Sequence, residues 1–271
     1  MPFSQYAAYA QDTYTLPEIS LRLRELLDSP TTDVQDIARL ISIDPALTSK
    51  VLRLANSALF RFPAQIDNIA RAINVVGGEA IYNLVIAETA QKAVFTYHND
   101  LINTKQHWYK SVVTGVLAKR LAKEHVRGTE RFFVLGILYH LSEMIIAQHS
   151  PDAYQSYLND AECVEPWQKQ SIYFGFDFAL CSGGVLQHWQ LPLQLYAPLM
   201  DAHDSSQDHK PLEERLLCQA QAIEWIFNSC TDPEQCFHKA SSLTELSLEY
   251  KELAAFYALA EQEALTIQSL F

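Results

Sequence analysis

The seventeen residues from Asp44 to Phe60, DPALTSKVLRLANSALF, constrain this chain more than any other stretch. Asp44 before Pro45 is a helix-start signal. The carboxylate accepts from free backbone N–H groups, and proline at the first helical position loses no needed donor. Leu47, Val51, Leu54, Ala55 and Ala58 then recur at i, i+4, i+7, i+8 and i+11, the spacing of one buried helix face. Thr48, Lys50 and Arg53 fall mostly elsewhere. Asn56-Ser57 interrupts the apolar run with an amide and a hydroxyl. Two readings fit that pair: polar capping at the end of a core helix, or a recognition surface for a partner or an internal lobe.

The flanking sequence is helical as well. Pro17 opens a helix with Ile19, Leu23, Leu26 and Leu27 on one face, closed by Ser29-Pro30. Asp33 caps another, with Val34, Ile37, Ala38 and Ile41 at helical spacing. Residues 1–15 read as an extended or partly helical lead-in. Asn68 to Val76 predicts a short helix stopped at Gly77-Gly78, and Glu79 to about Val94 a longer one. Val113, Val116, Leu117, Leu121 and Ala122 predict an amphipathic helix to about His125, and Glu130 to Ala147 one strongly apolar central helix. Ser150-Pro151 and Pro166 open further helices. Gly183-Gly184 marks either a close helix approach or a helix defect. Two or three more helices follow Pro211, including the acidic segment Leu243 to Phe271.

With 8 Gly and 11 Pro in 271 residues and no strand alternation, the fold class is all-α. The hydrophobic content of 49% suffices for a sizeable core. The polar stretch Tyr97-His98-Asn99-Asp100 suggests a boundary. Residues 1–98 form an N-terminal helical lobe in this reading, 99–210 a second lobe, and 211–271 a C-terminal helical extension packed on it.

A formal charge of −12 argues against binding a phosphate backbone, so no nucleic-acid partner is expected. The basic group Lys119-Arg120, Lys123, Arg127 and Arg131 reads as a solvated helix face. The five cysteines lack C-x-x-C spacing, which points to reduced thiols rather than a zinc or redox site. The N-terminus shows no signal peptide, and no apolar stretch approaches the roughly 18 residues that span a bilayer. A cytoplasmic protein without a membrane partner is the expectation. The motifs of P-loop, dinucleotide-binding, serine hydrolase and zincin sites are absent.

The signature DPAL…K.LRLANSA, preceded by LPEISLRLRELLDS (Leu16 to Ser29), resembles that of the HDOD family, a relative of the HD-type metal-dependent phosphohydrolases. The order of elements matches to about Asp204. The resemblance implies a multi-helix fold with an N-terminal lobe packed on an HD-like lobe. It also implies a role in signal transduction. Within the signature, Asp44, Pro45, Leu47, Arg53, Asn56 and Ser57 are the interaction or structural residues.

In the HD relatives, His and Asp side chains from separate helices hold one or two divalent ions that activate water against a phosphate ester. Their His-Asp pair lies in a segment like G-L-L-H-D-I-G. The matching segment here is Gly136-Ile137-Leu138-Tyr139-His140-Leu141-Ser142, so Tyr139 stands at the histidine and His140 at the aspartate. A phenol, with an ordinary pKa of about 10, is a poor substitute for imidazole. Lys110 stands at the histidine of W-x-H-S, Phe178 at that of G-x-x-H, and His203-Asp204 at a final His-His pair. A buried ammonium at Lys110 would repel a divalent cation.

The resemblance therefore implies a degenerate site at Lys110, Tyr139, His140, Phe178, His203 and Asp204, with no catalytic metal and no cofactor. At most it is a pocket for a small anionic ligand. Read by themselves, His140 is a hydrogen-bonded core histidine, His203 and Asp204 a helix-end pair, and His107 a packing residue. The expected function is a non-catalytic signalling or output module acting through a protein partner. The alternative is a metal-dependent phosphohydrolase for a nucleotide or cyclic dinucleotide, with an unconventional ligand set.

Overall fold

The computed structural model describes the chain apart from Thr15, Ala58, Arg61, Pro63, His98, residues 205–209 and Phe271, and apart from the side chains of Gln11 and Asp12. Sequence expectations touch undescribed residues at Thr15 of the lead-in, Ala58 on the signature face, His98 at the suggested boundary, residues 205–209 of the second lobe and Phe271 at the end of the acidic segment. Among the described residues there are sixteen α-helices, one 3₁₀ turn and no strand. The first six are α1 (Phe3–Thr13), α2 (Glu18–Asp28), α3 (Val34–Ser42), α4 (Pro45–Ala55), α5 (Ile69–Val76) and α6 (Gly78–Thr96). Then come α7 (Thr104–Ala122), α8 (Glu130–Tyr139), α9 (Leu141–His149), α10 (Pro151–Asn159), α11 (Pro166–Phe174), α12 (Phe178–His188) and α13 (Leu193–Met200). The last are α14 (Leu212–Asn228), α15 (Pro233–Lys239) and α16 (Tyr250–Gln268), with the 3₁₀ turn Ser241–Leu246 ahead of α16.

Caps set several of these boundaries. Asp44 accepts from Ala46 N at 2.9 Å and Leu47 N at 3.0 Å, with Pro45 as the first residue of α4. Asp33 and Asp36 exchange bonds in a capping box ahead of α3. Asn68 accepts from Arg71 N at 2.8 Å, and Gly77, at φ 91°, turns the chain from α5 into α6. The face of α4 that carries Leu47, Val51, Leu54 and Ala55 is buried. On its other side Lys50 donates to Glu88 of α6 at 2.7 and 2.9 Å, which compensates a carboxylate that is 1% exposed.

Residues 1–15, expected as an extended or partly helical lead-in, contain α1, so the partly helical alternative holds. Tyr6, Ala7 and Ala10 are buried, and α1 lies on α12. The Gly183-Gly184 pair marks a close approach and not a defect. A Cβ on Gly183 would meet Met200 Cγ at 2.4 Å, and one on Gly184 the Phe3 ring at 3.0 Å. No local periodicity announces a helix whose apolar partner lies some 180 residues away.

The expected single helix from Glu130 to Ala147 is broken at His140, where φ is −93° and ψ 3°. Ser182 of α12 explains the break. Its hydroxyl accepts from Ser142 N at 3.0 Å and donates to the Tyr139 carbonyl at 3.0 Å, inserting into the helical hydrogen-bond ladder. Glu130–His149 together are long and apolar enough to cross a membrane, contrary to the sequence expectation, yet 83% of the most apolar window is buried inside the fold. This is core sequence.

The basic group is corrected at Lys119 and Arg120, while Lys123 and Arg127 are exposed as expected. Lys119 is 2% exposed, donates to the Leu59 carbonyl and lies 3.9 Å from Glu263 of α16. Arg120 pairs with the same carboxylate at 2.8 Å. The two cations fasten α16 to α7 and are not a solvated surface. The acidic segment from Leu243 is likewise a 3₁₀ turn followed by α16, not one helix.

Candidate functional site

The centre of the site is set by how closely α7 meets α8. A Cβ on Gly136 would lie 2.5 Å from Gly115 Cα, so the two backbones touch where any side chain would part them. This contact holds one face of α7, bearing His107, Lys110 and Thr114, against the α8–α9 break that bears Tyr139, His140 and Glu143. Tyr154 of α10 and Glu224 of α14 complete the cluster.

His140, 3% exposed, bonds through Nε2 to Thr114 Oγ1 at 3.0 Å, and its Nδ1 lies 3.8 Å from Glu143 Oε2. Thr114 Oγ1 also donates to the Lys110 carbonyl, at 3.1 Å. Burial pushes the His140 imidazole down to about 3, so it is neutral. His107 lies with Nδ1 3.5 Å from the same Glu143 oxygen and is also lowered by burial. The sequence reading of His107 as mere packing missed this. Its i, i+3, i+7 relation to Lys110 and Thr114 was the available signal.

Two carboxylates share one ammonium. Burial acts against charge on all three groups, yet the outcomes differ. Glu143 accepts from Tyr154 OH at 2.7 Å, and the Lys110 charge with the neighbouring His140 outweighs burial to hold it well below the usual carboxylate range. Glu224, fully buried, is met by Asn228 at 3.3 Å and by Lys110 Nζ at 3.8 Å. Burial dominates there and raises it to about 7. Lys110 is held above the ordinary lysine value because Glu224 and Glu143 together overcome its own desolvation. A cavity of about 280 Å³ opens beside these groups, between Gln106, Lys110, Glu143, Tyr154, Glu224 and Asn228.

The remaining positions that the resemblance matches to HD ligands close on themselves. Tyr139 and His203 are joined by a 2.5 Å hydrogen bond between the phenol oxygen and Nε2. Burial drives the phenol well above its ordinary value, so Tyr139 is the donor and the His203 proton resides on Nδ1, 3.6 Å from Cys218 Sγ. Trp167 stacks on His203 at 4.2 Å, and burial lowers that imidazole to about 3. Phe178 packs against Tyr154, Tyr157 and Phe174. Asp204 is half-buried after α13, its N–H bonded to the Asp201 carbonyl at 3.1 Å.

These residues do not suit the divalent ions held by HD phosphohydrolases. Of the six matching positions only His140, His203 and Asp204 carry a ligand-type side chain. Both imidazoles already face protein groups through each nitrogen, and an ammonium lies within the cluster.

The signature residues lie elsewhere, around α4. Asn56 donates to Leu52 O and Ile66 O, both at 2.8 Å, and accepts from Ile66 N at 2.7 Å. Ser57 donates to Leu54 O at 2.6 Å and accepts from Leu59 N at 3.1 Å. Both groups close the end of α4 and tie down the following loop. Arg53 donates to Leu270 O at 2.8 Å, and Asp44, Pro45 and Leu47 start the helix.

Comparison with known proteins agrees with this architecture. A structure from Shewanella amazonensis SB2B, of a protein named as a candidate phosphohydrolase, is similar with a TM-score of 0.73 at 20% identity, covering 98% of this chain and 97% of the other. An HDOD domain protein of unknown function from Geobacter sulfurreducens has a TM-score of 0.70 at 18% identity, covering 99% and 98%. These show the shared fold. An uncharacterised protein of Treponema pallidum (strain Nichols) is 25% identical over 210 residues, covering 74% of this chain. The chain spans about 40% of that relative's length. The HDOD domain model matches residues 14–205, and the chain belongs to the HDOD family.

Proposed function

We propose that this protein is a non-catalytic signalling module that acts by binding another protein. The observation that carries the reading is the self-contained state of the degenerate cleft. Tyr139 is bonded to His203, His140 to Thr114, and Lys110 is matched by Glu143 and Glu224. The Lys110 ammonium within that set opposes a metal ion. The carboxylates also oppose a small anion at Lys110. A cluster of this kind fixes the relative positions of α7, α9, α10 and α14, as a scaffold for an output surface requires.

A phosphohydrolase for a nucleotide or cyclic dinucleotide has one observation in its favour. The neutral imidazoles of His107 and His140 both turn toward Glu143 Oε2, a nitrogen–oxygen donor set of the kind divalent ions accept. Lys110 in the same cluster weighs against it.

Affinity capture with the purified full chain tests the reading. A specific protein retained from native lysate, and still retained by the Lys110→Ala variant, is the expected result. Failure to retain any specific protein, together with hydrolysis of a phosphodiester by the unsubstituted chain, contradicts it.

A further inference from the structure

Three of the five cysteines converge. Cys163 lies in the loop between α10 and α11, Cys230 just after α14, and Cys236 within α15. Their sulfur atoms all lie within 4.8 Å of one another, and those of Cys163 and Cys236 are 2.7 Å apart. The sequence offered no C-x-x-C pair, and the cluster is assembled across a separation of 73 residues.

Both walls of the cluster are anchored by contacts that do not involve sulfur. The Glu165 carboxylate, next to the Cys163 loop, accepts from Ser241 Oγ at 2.8 Å and from Ser242 N and Oγ at 3.2 and 2.6 Å. Asp160, at the start of that loop, accepts from Tyr173 OH at 3.1 Å, and Lys169 donates to its carbonyl. On the opposite wall Asp232 caps α15 by accepting from Gln235 N at 3.0 Å. The three thiols are therefore brought together on a frame built without them. All three line one cavity of about 440 Å³, together with Glu162 and Asp232.

We propose that Cys163, Cys230 and Cys236 form a thiolate site for a borderline-soft divalent cation, with Zn²⁺ as the best fit. Three sulfur donors suit such an ion, which commonly takes four ligands in a tetrahedron. At a Zn–S distance of about 2.3 Å, tetrahedral sulfurs stand about 3.8 Å apart, within the 4.8 Å envelope of the cluster, so Cys163 and Cys236, now 2.7 Å apart, must part by about 1 Å to seat the ion. A disulfide would use two of the thiols and leave the convergence of the third unexplained. The same cavity is lined by Glu162 and Asp232, and one of these carboxylates, or water, is the candidate fourth ligand. A cation there clips α14 and α15 to the α10–α11 loop. The same cavity is lined by Lys110 and Glu143, so the clip borders the degenerate cleft. The inference does not depend on the cleft being non-catalytic.

The test is titration of the reduced, chelator-treated full chain with Co²⁺, a spectroscopic stand-in for Zn²⁺, followed by displacement with Zn²⁺. The expected result is one equivalent of Co²⁺ with a sulfur-to-cobalt charge-transfer band, bleached by Zn²⁺. The band is lost in Cys230→Ser and Cys236→Ser and kept in Cys181→Ser and Cys218→Ser, with circular dichroism confirming that each variant is folded. No charge-transfer band in the reduced unsubstituted chain overturns the proposal. So does a band that survives both Cys230→Ser and Cys236→Ser. A chain isolated without reductant that carries a Cys163–Cys236 disulfide, and that binds no Co²⁺ once reduced, also overturns it. None of these outcomes involves phosphoester hydrolysis, so this site and the reading of the cleft can fail separately.

Discussion

Tyr139 and His203, which the resemblance to HD relatives matches to two metal-binding histidines, are hydrogen-bonded to each other at 2.5 Å. The phenol gives His203 an internal partner in place of an ion, and Trp167 stacked at 4.2 Å fixes the ring plane. Replacing Tyr139 by Phe removes the donor and leaves a buried acceptor nitrogen unpaired. The expected loss is roughly 1–3 kcal/mol. Urea denaturation checks it; an unchanged midpoint and slope would mean that the bond contributes nothing.

Glu224 supplies a pH dependence with a definite sign. Its folded-state pKa is raised to about 7, against an ordinary value near 4.5 in the unfolded chain. A raised carboxyl favours the folded state while protonated, so its contribution is fully present below pH 4.5 and is lost as pH rises through 7. The groups facing it are Lys110 of α7, Glu143 of α9 and Asn228 of its own helix. Glu224→Gln cannot ionise. Its stability relative to the unsubstituted chain is expected to rise by about 3 kcal/mol between pH 4.5 and 8. Paired denaturation curves across that range measure the difference, and parallel curves would contradict the assignment.

Gly136→Ala tests the crossing that builds the site. The added methyl would sit 2.5 Å from Gly115 Cα, against backbone that has no rotamer by which to yield. The expected cost is at the upper end of the roughly 1–3 kcal/mol seen for overpacking. A melting temperature equal to that of the unsubstituted chain would show that α7 and α8 separate freely.

Asn56→Leu tests the role of the signature. The amide makes three bonds, two of them to the backbone of Ile66, and the substitution leaves that N–H and carbonyl unmatched. Destabilisation of roughly 1–3 kcal/mol is expected. A neutral melting curve would return Asn56 to the recognition reading.

The helices around the signature were legible because their causes are local: Asp44 with Pro45, the Asp33 cap, the Gly77 stop, and apolar faces with a period near four. The features that sequence reasoning left open or misplaced depend on distant partners. α1 needs Gly184, the break at His140 needs Ser182, and the buried Lys119 needs Glu263. The same holds for the site. The six degenerate positions could be named from the family pattern, but what compensates Lys110 could not. Glu143 lies 33 residues beyond it and Glu224 more than 100, in α14. The cysteine cluster was hidden in the same way, because loop closure and not spacing assembles it.

The most direct test of the central claim is hydrolysis of a chromogenic phosphodiester and of a cyclic dinucleotide with added Mn²⁺, Fe²⁺ or Mg²⁺. The unsubstituted chain, Cys230→Ser, and a His107→Ala/His140→Ala variant are assayed side by side, the second to separate any ion at the cysteine cluster from the cleft. No metal-dependent turnover above that of the double-alanine variant is the predicted result. Metal-dependent turnover by the unsubstituted chain and by Cys230→Ser, abolished when His107 and His140 become Ala, would contradict the account.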